Sequence, residues 1–426
     1  MNPETPSAEG SDTRSGLTRR GLIGGAAGVL VAGSFVAGHA LGNGGGDHPA
    51  EEAGAYAFYG EHQAGIVTPA QDRLHFAAFD VITDSRNDLI TLLKAWTTAA
   101  AEMTAGGQIG GGQAQNYDSP PDDTGETLGL PPSGLTITFG FGPTMFTRGG
   151  RDRFGLASRR PEGLRRLPHF PADNLNPERS DGDLCIQACA NDPQVAVHAI
   201  RNLARIGFGT VSMRWAQLGF GRTSSTSRSQ ETPRNLFGFK DGTANIRSDE
   251  TADLGRFVWV PDDSEPAWLA GGTYLIARRI NMRIENWDRT SLREQEGLIG
   301  RTRVDGAPLS GGGEFSEINL DMKGNDGPIV PLDAHVRLAH PTVNKGTRLL
   351  RRGYNFTDGA DALGRLEAGL FFIAFVNDPD THYIPMQTRL SRDDGLMEYL
   401  QHTGSGIWAV PPGLSEGQWI GQPLFT

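Results

Sequence analysis

The order of apolar and polar positions predicts a first block of mixed strands and helices. An apolar run at residues 74–81 is typical of a strand, and the positions after it repeat with the 3.6-residue period of a helix capped by Asp84 or Ser85. Further strands are predicted at 135–141, 184–190 and 210–215, with a second helix at 193–205. The resulting β-α-β-β-α-β order is the ferredoxin-like pattern.

A second block repeats this order after a polar run at residues 222–233. Its predicted elements are a strand at 273–284, a helix at 291–299 with a capping box of Ser291 and Glu294, strands near Leu349 and at 370–376, a helix at 379–390 and a strand at 406–410. Glycine-rich segments at 105–133 and 303–327 are expected to be surface loops. Two similar halves suggest a cleft between them, which is a common place for a cofactor.

The net charge and the cysteine content exclude several classes of function. A formal net charge of -11 and a pI near 5.4 argue against coating nucleic acid or an anionic membrane, because both tasks need surplus Lys and Arg. Cys185 and Cys189 stand about 13 Å apart on the predicted strand, at about 3.3 Å per residue, which is too far for a disulfide. We expect two buried thiols. Their spacing is not Cys-x-x-Cys-His, which excludes covalent c-type haem attachment.

The N-terminus resembles a twin-arginine export signal. Arg19 and Arg20 precede a Gly/Ala-rich stretch at 21–40, and a glycine-rich join follows at 42–46. A permanent membrane anchor is the alternative, but the many glycines make this stretch a poor transmembrane helix. We therefore expect residues 1–45 to be signal and linker. The protein would then be extracellular, at the cell surface or periplasmic, with no stable membrane span after processing.

His335 is the candidate metal ligand. It lies in the segment P-L-D-A-H-V-R-L-A-H-P, between a glycine-rich loop and the arginine-rich L-L-R-R-G-Y. Imidazole is the usual proximal ligand of a peroxidase haem, and a carboxylate on its other nitrogen strengthens the iron bond. Asp378 is the candidate for that carboxylate. Because Pro379 follows it directly and would start a helix, an Asp in this position is more often a helix cap.

The second candidate is the block G-F-K-D-G-T-A-N at residues 238–245. By itself, Asp241-Gly242 is an ordinary turn dipeptide. In peroxide chemistry, a carboxylate can take a proton from one peroxide oxygen and return it to the departing one. An arginine beside it supplies a positive charge that does not deprotonate.

These blocks together resemble the dye-decolourising peroxidase family. Three further segments at 58–66, 135–143 and 287–296 resemble the exported, iron-uptake-associated branch of that family, sometimes described as deferrochelatases. The resemblance extends over residues 58–420. It implies that Asp241 is the distal acid-base residue, Arg351 the distal arginine and His335 the proximal haem ligand.

The resemblance also implies further haem contacts. These would come from Gly242, Thr243, Ala244, His340, Pro341 and Thr342. Members close to this branch carry Asn-Pro-Arg where this chain has His340-Pro341-Thr342, so a basic contact to a haem propionate is missing at Thr342. Arg301 or Arg303 could replace it, although an ordinary surface arginine is the more usual interpretation of each.

The implied fold is α+β, with two ferredoxin-like domains of the dimeric α/β-barrel type at 56–225 and 234–422 enclosing a haem. One non-covalent haem b would bind per chain. The implied reaction reduces hydrogen peroxide and oxidises bulky organic donors, such as dyes or phenols, in one-electron steps. The alternative is a haem-binding deferrochelatase that releases iron together with components of an iron-uptake system. Neither alternative involves nucleic acid, and a homo-oligomer is compatible with both.

Overall fold

The computed structural model describes residues 54–111 and 116–426, which belong to one compact unit that spans 48–426. The predicted export signal and linker at 1–45 lie outside the described residues. Within the described ranges, no helix is both long enough and apolar enough to cross a membrane.

The first half has the predicted order of elements. Its strands and helices are β1 (Arg73–Val81), α1 (Arg86–Thr104), β2 (Thr136–Phe141), β3 (Leu184–Ala190), α2 (Pro193–Ile206) and β4 (Val211–Arg222). The Ser85 side chain caps α1 by accepting from the Asp88 N–H, and Asp192 caps α2 by accepting from the Gln194 N–H. Pro193 occupies the first turn of α2, where a missing N–H costs nothing.

The second half repeats that order with longer connections. Its main elements are α3 (Thr251–Phe257), β5 (Thr273–Met282), α4 (Leu292–Ile299), α5 (His335–Leu338), β6 (Tyr354–Ala360), β7 (Leu366–Val376), α6 (Ile384–Asp393) and β8 (Leu400–Val410). Shorter pieces are the two-residue strand Leu350–Arg351, the hairpins of Thr147–Arg148 with Arg151–Asp152 and of Lys323–Gly324 with Gly327–Pro328, and the helical turns Pro143–Phe146, Ile284–Trp287 and Gln422–Phe425.

The two halves share one strand order. In the first half the strands lie side by side as β4-β1-β3-β2, and in the second as β8-β5-β7-β6, with all neighbours antiparallel. Strand β2 also pairs with β8, and β4 pairs with β6, so the eight strands close into a barrel. This architecture confirms the predicted α+β class with two ferredoxin-like domains.

The barrel has two apolar layers, which alternate along each strand. On β1, Phe76 faces an interior cluster with Phe371 and Trp408, whereas Phe79 packs against Trp96 of α1 on the outer face. Cys185 and Cys189 both belong to the interior cluster and are buried, free thiols. The expectation of two buried thiols is therefore confirmed.

The long glycine-rich insertion of the first half is fixed to α2 near its centre. Asp123 accepts backbone hydrogen bonds from Gly125 and Ile109, at 2.7 and 3.0 Å, and lies 2.8 Å from His198 Nε2 of α2. Both side chains are almost fully buried. A buried carboxylate needs such partners, so this cluster anchors the insertion predicted as a surface loop.

Two departures from the predicted elements stand out in the second half. Strand β6 was not predicted, because only its first three residues are buried and the remainder is exposed. The helix predicted at 379–390 begins as a π-helical segment, Pro379–Tyr383, and continues as α6. Pro385 provides a physical reason, since a proline ring cannot approach the carbonyl four residues earlier as an α-helix requires.

Candidate functional site

One large cavity is lined by most of the predicted site residues, among them His335, Asp241 and Arg351. It encloses about 1650 Å³ of empty space, part of which is open to solvent. All lining residues lie between Asn235 and His402, in the second half of the chain. The cleft expected between the halves does not hold this site, because the halves join edge to edge through strand pairing.

His335 is the first residue of α5 and reaches the cavity with one ring nitrogen free. Its Nδ1 lies 2.7 Å from Asp394 Oδ2, and about a third (35%) of its side-chain surface is open to solvent. No hydrogen bond to Nε2 comes from any residue within 54–111 or 116–426. With the proton on Nδ1, directed at Asp394, the Nε2 lone pair is available to a metal ion.

Asp394 also controls the charge of this ring. Burial disfavours protonation of His335, but the charge and hydrogen bond of Asp394, reinforced by Asp241, outweigh burial and raise the His335 pKa above 6.5. The same interaction strengthens electron donation from Nε2 to a bound metal. Asp394 is itself held in place, since its other oxygen accepts a 2.9 Å hydrogen bond from the Leu396 N–H.

The prediction that Asp378 is the partner of the ligand is wrong. Asp378 caps the segment Pro379–Tyr383, where it accepts from the Asp380 N–H at 2.9 Å and from the Thr381 hydroxyl at 2.7 Å. It does not line the cavity. The helix-cap alternative was correct, because an Asp before Pro-initiated helical turns satisfies N–H groups that have no partner in the helix.

Asp241 forms a hydrogen-bonded pair with Arg351 in the same cavity. Asp241 Oδ1 accepts from Arg351 Nη1 at 2.8 Å, and Oδ2 accepts from Asn235 Nδ2 at 3.2 Å. The loop is tightly packed at this point, because a Cβ on Gly242 would lie 2.8 Å from Ser224 Cα and its φ is +86°. Glycine is therefore required directly after the carboxylate.

Asn245 links the Asp241 loop to the arginine. Its side-chain NH₂ donates to the Arg351 carbonyl at 2.9 Å, and its Oδ1 accepts from the Arg351 N–H at 2.7 Å. Arg352 points away from the cavity, is fully buried and donates to the Thr68 carbonyl and to Gln71 Oε1. The alternation of side chains thus directs only the first arginine of the pair into the cavity.

The remaining predicted contacts divide into two groups. Gly242, Thr243, Ala244, His340 and Pro341 line the cavity, as does Arg301. Thr342 and Arg303 do not line it. Thr342 instead lies in the turn that His340 caps, with its hydroxyl 2.8 Å from His340 Nδ1. Of the two arginines proposed to replace the missing basic contact, only Arg301 is therefore positioned at the cavity.

Sequence reasoning missed Asp394, Asn235 and Asn245 as parts of the site. Asp394 is 59 positions from His335, and its S-R-D-D-G-L surroundings are typical of a turn after a helix. Asn235 and Asn245 flank Asp241 closely, so a search for hydrogen-bonding side chains around that loop could have found them.

The residues present suit a prosthetic group that brings its own ligands. A bare metal ion needs several protein ligands, and within the described residues such a triad occurs only at Asp123, Glu126 and His198, outside the cavity. His335 has one free ring nitrogen, and it lines a cavity whose other lining residues include apolar side chains such as Ile280 and Phe372. A haem, with four ligands of its own, fits this donor set.

The sequence matches the family models described as Dyp-type peroxidase, N-terminal, over residues 63–221, and Dyp-type peroxidase, C-terminal, over residues 232–415. The chain belongs to the Dyp-type peroxidase family. It is therefore a haem-dependent peroxidase, which takes hydrogen peroxide and a reducing substrate. The predicted family, fold class and enzyme class are confirmed, whereas the domain limits 56–225 and 234–422 stay predictions.

Curated relatives and solved structures agree with this assignment. Deferrochelatases of Yersinia pseudotuberculosis serotype I and Escherichia coli K12 are 37% and 38% identical, covering 86% and 84% of this chain and 84% of each relative. Ferric DtpA from Streptomyces lividans is 39% identical with a TM-score of 0.79, covering 89% of this chain and all of DtpA. A DyP-type peroxidase from Cellulomonas bogoriensis is 38% identical with a TM-score of 0.76, covering 87% and 98% of the two chains.

Proposed function

We propose that this Dyp-type peroxidase would bind one haem b per chain without covalent attachment, with His335 Nε2 as the nitrogen that would hold the iron and Asp241 and Arg351 as the pair that would meet peroxide in the same cavity. The observation that carries the proposal is the convergence of both groups on one cavity. His335 offers a free nitrogen there, and the charges of Asp241 and Arg351 act on its ring.

A bound haem would supply a redox-active iron that accepts peroxide and exchanges electrons with it. The protein's part is proton transfer. Each carboxylate oxygen of Asp241 has one hydrogen-bond partner and keeps a second lone pair, so the carboxylate can accept a peroxide proton and release it to the departing oxygen.

Arg351 would stabilise negative charge that develops on the departing oxygen. Its guanidinium is held by Asp241, its backbone is held by Asn245, and 26% of its side-chain surface remains open. A fixed cation of this kind needs no reorganisation during the reaction.

The ligand assignment can be tested by titrating haem into purified haem-free protein and recording the visible absorbance. His335→Ala is expected to lose the wild-type spectrum and to bind haem much more weakly. His169→Ala, at an exposed histidine outside the cavity, should titrate like wild type. A wild-type spectrum in His335→Ala would show that another residue holds the iron.

A deferrochelatase activity is the second candidate function. It is favoured by the names of the relatives in Yersinia pseudotuberculosis and Escherichia coli. The test is to supply haem to cells that make the protein and to extract porphyrins. Iron-free porphyrin that also accumulates with Asp241→Asn would support iron release independent of the peroxidase site, and unchanged haem would exclude it.

Export by the twin-arginine route remains a proposal of its own. It rests on Arg19 and Arg20 and the apolar stretch after them. Replacing both arginines by lysine should retain the protein inside the cell, which fractionation and immunoblotting would detect. Undiminished export of this variant would refute the twin-arginine assignment.

A further inference from the structure

A buried arginine inside the barrel has no counter-charge. Arg352 is fully buried, and its terminal nitrogens donate only to neutral acceptors. These acceptors are the carbonyls of Thr68 and Pro69 and the side-chain oxygen of Gln71. Its neighbour Arg351 is paired with a carboxylate, whereas no carboxylate in the part of the chain that the structure describes forms an ion pair with Arg352. A buried charge is costly unless it is paired, so an anion is expected beside this guanidinium.

Two buried donors at this position lack a hydrogen-bond partner. They are Nε of Arg352 and the hydroxyl of Tyr354, and neither bonds to any described residue. Both side chains are fully buried. The chain pairs with β7 on either side of these two residues, so the segment is extended and residues two apart point to the same side, toward the barrel interior. Buried polar groups nearly always have a partner, so these donors indicate a ligand that the protein itself does not supply.

The thiol of Cys189 lies at the same place. It is buried in the interior cluster with Tyr354, and both Arg352 and Tyr354 are close enough to act on its pKa. Burial nevertheless raises the pKa of Cys189 above its usual range, and it raises the pKa of Tyr354 as well. The thiol and the phenol are therefore neutral at physiological pH, and neither balances the charge of Arg352. Neutral sulfur is also only a weak hydrogen-bond acceptor.

We propose that Arg352, Tyr354 and Cys189 bind a halide ion inside the barrel, which is chloride under physiological conditions. The N–H, O–H and S–H groups can all donate to one spherical acceptor, and its single negative charge balances the guanidinium. A water molecule would accept the same hydrogen bonds but would leave the charge unbalanced. Aromatic side chains fill the neighbouring interior, among them Phe371 opposite Tyr354 and Trp408, so a monoatomic ion fits better than a phosphate or a carboxylate.

This anion site is separate from the haem cavity. Arg351 lines that cavity, but Arg352, Tyr354 and Cys189 do not. A halide could also bind a haem iron, and it would then lie in the haem cavity and change the visible spectrum of the haem. The two binding events can therefore be distinguished, and the proposal does not depend on the roles proposed for Asp241 and Arg351.

The most direct test is a crystal of the haem-loaded protein soaked in sodium bromide. Bromide replaces chloride and is located by its anomalous scattering. We expect an anomalous peak about 3.5 Å or less from both Arg352 Nε and the Tyr354 hydroxyl oxygen. Bromide peaks only at the protein surface or in the haem cavity would overturn the proposal, as would a water molecule at the proposed position.

Thermal unfolding of the haem-loaded protein gives a second measurement in solution. Bromide is exchanged for gluconate at constant ionic strength. A ligand that binds only the folded state stabilises it, so Tm should rise by about 2–4 °C between 1 and 100 mM bromide. Tyr354→Phe removes only the hydroxyl and should weaken bromide binding about tenfold. The control Tyr117→Phe removes a hydroxyl from a fully exposed ring and should keep the wild-type response.

A Tm that does not change when bromide replaces gluconate would overturn the proposal, and so would a wild-type bromide response in Tyr354→Phe. The visible spectrum of the haem is recorded in the same samples. A bromide response that changes this spectrum and persists in Tyr354→Phe would place the ion on the haem iron, which also overturns the proposal. If Tyr354→Phe does not fold, the bromide peak in the wild-type crystal decides.

Discussion

At the scale of single residues, the sequence predicted the main side chains of the site but not the hydrogen-bond partner of His335. His335, Asp241 and Arg351 stand in recognisable blocks, and the structure brings all three to one cavity. The partner of His335 could not be read in this way, because Asp378 and Asp394 both occur in ordinary turn sequences. Only the packing of α5 against α6 and the turn after it decides that Asp394 approaches the ring.

Asp394→Asn is expected to weaken haem binding about 10- to 100-fold, because an amide holds the ring less firmly and donates no negative charge to it. Haem transfer to an acceptor protein, followed by absorbance, measures this loss. Asp378→Asn is the matched control and should keep wild-type haem affinity. It should lose only about 1 kcal/mol of stability from the weakened cap. If Asp378→Asn weakened haem binding and Asp394→Asn did not, Asp378 rather than Asp394 would be the partner of His335.

The buried imidazole of His402 should make stability depend on pH. Burial, aided by Arg278, lowers its pKa from 6.5 to about 3, and 3% of its surface is exposed. Above pH 6.5 this group contributes nothing to the pH dependence. As pH falls from 6.5 toward 3, the unfolded state binds a proton that the folded state does not, so stability decreases.

Between pH 7 and pH 5 this loss should be about 2 kcal/mol for the one histidine. Urea unfolding at both pH values measures it. His402→Gln should unfold with a correspondingly flatter pH profile, whereas His169→Gln, at an exposed site, should keep the wild-type profile. An unchanged profile in His402→Gln would mean that the ring is charged in the folded protein.

At the scale of elements, the apolar pattern predicted most strands and helices and missed those whose burial is uneven. Leu184–Ala190 is buried on both faces and was predicted with its observed bounds. The strand predicted at 210–215 continues to Arg222, because pairing with β1 and β6 extends it past its apolar residues. Tertiary pairing of this kind leaves no local pattern in the sequence.

Gly369 is required where β7 passes β5. A Cβ at this position would lie 1.9 Å from the Ile280 carbonyl oxygen, which belongs to the backbone and cannot move aside. Gly369→Ala should therefore destabilise the protein by about 3 kcal/mol or more. Gly255→Ala, on the exposed side of α3 with nothing within 4 Å, should instead stabilise it by up to about 1 kcal/mol. Thermal unfolding of both variants tests this contrast, and a neutral Gly369→Ala would contradict the strand packing.

At the scale of the whole molecule, the repeated order of elements could be predicted from the sequence. The way in which the two halves join, and hence the position of the cavity, could not. The sequence suggested a cofactor between two halves. In the structure, strand pairs β2–β8 and β4–β6 join the halves, the barrel interior is filled by apolar side chains, and the cavity lies within the second half. Pairing between the edge strands of the two halves depends on backbone geometry rather than on residue type. The pattern of apolar and polar residues therefore does not predict it.

The first half should not fold well alone, because separation would expose the edges of β2 and β4. A fragment of residues 54–225 is expected to aggregate or to unfold without cooperativity. Size-exclusion chromatography and circular dichroism, with residues 54–426 as the comparison, measure this. A monomeric fragment with a sharp unfolding transition would show that barrel closure is not needed for its stability.

The central claim is that Asp241 transfers the peroxide proton in a haem cavity where His335 holds the iron. Its most direct test is stopped-flow absorbance of the haem band after haem-loaded protein is mixed with hydrogen peroxide. Asp241→Asn should bind haem normally and react about 10²- to 10⁴-fold more slowly than wild type. An equal rate in wild type and Asp241→Asn would contradict the claim.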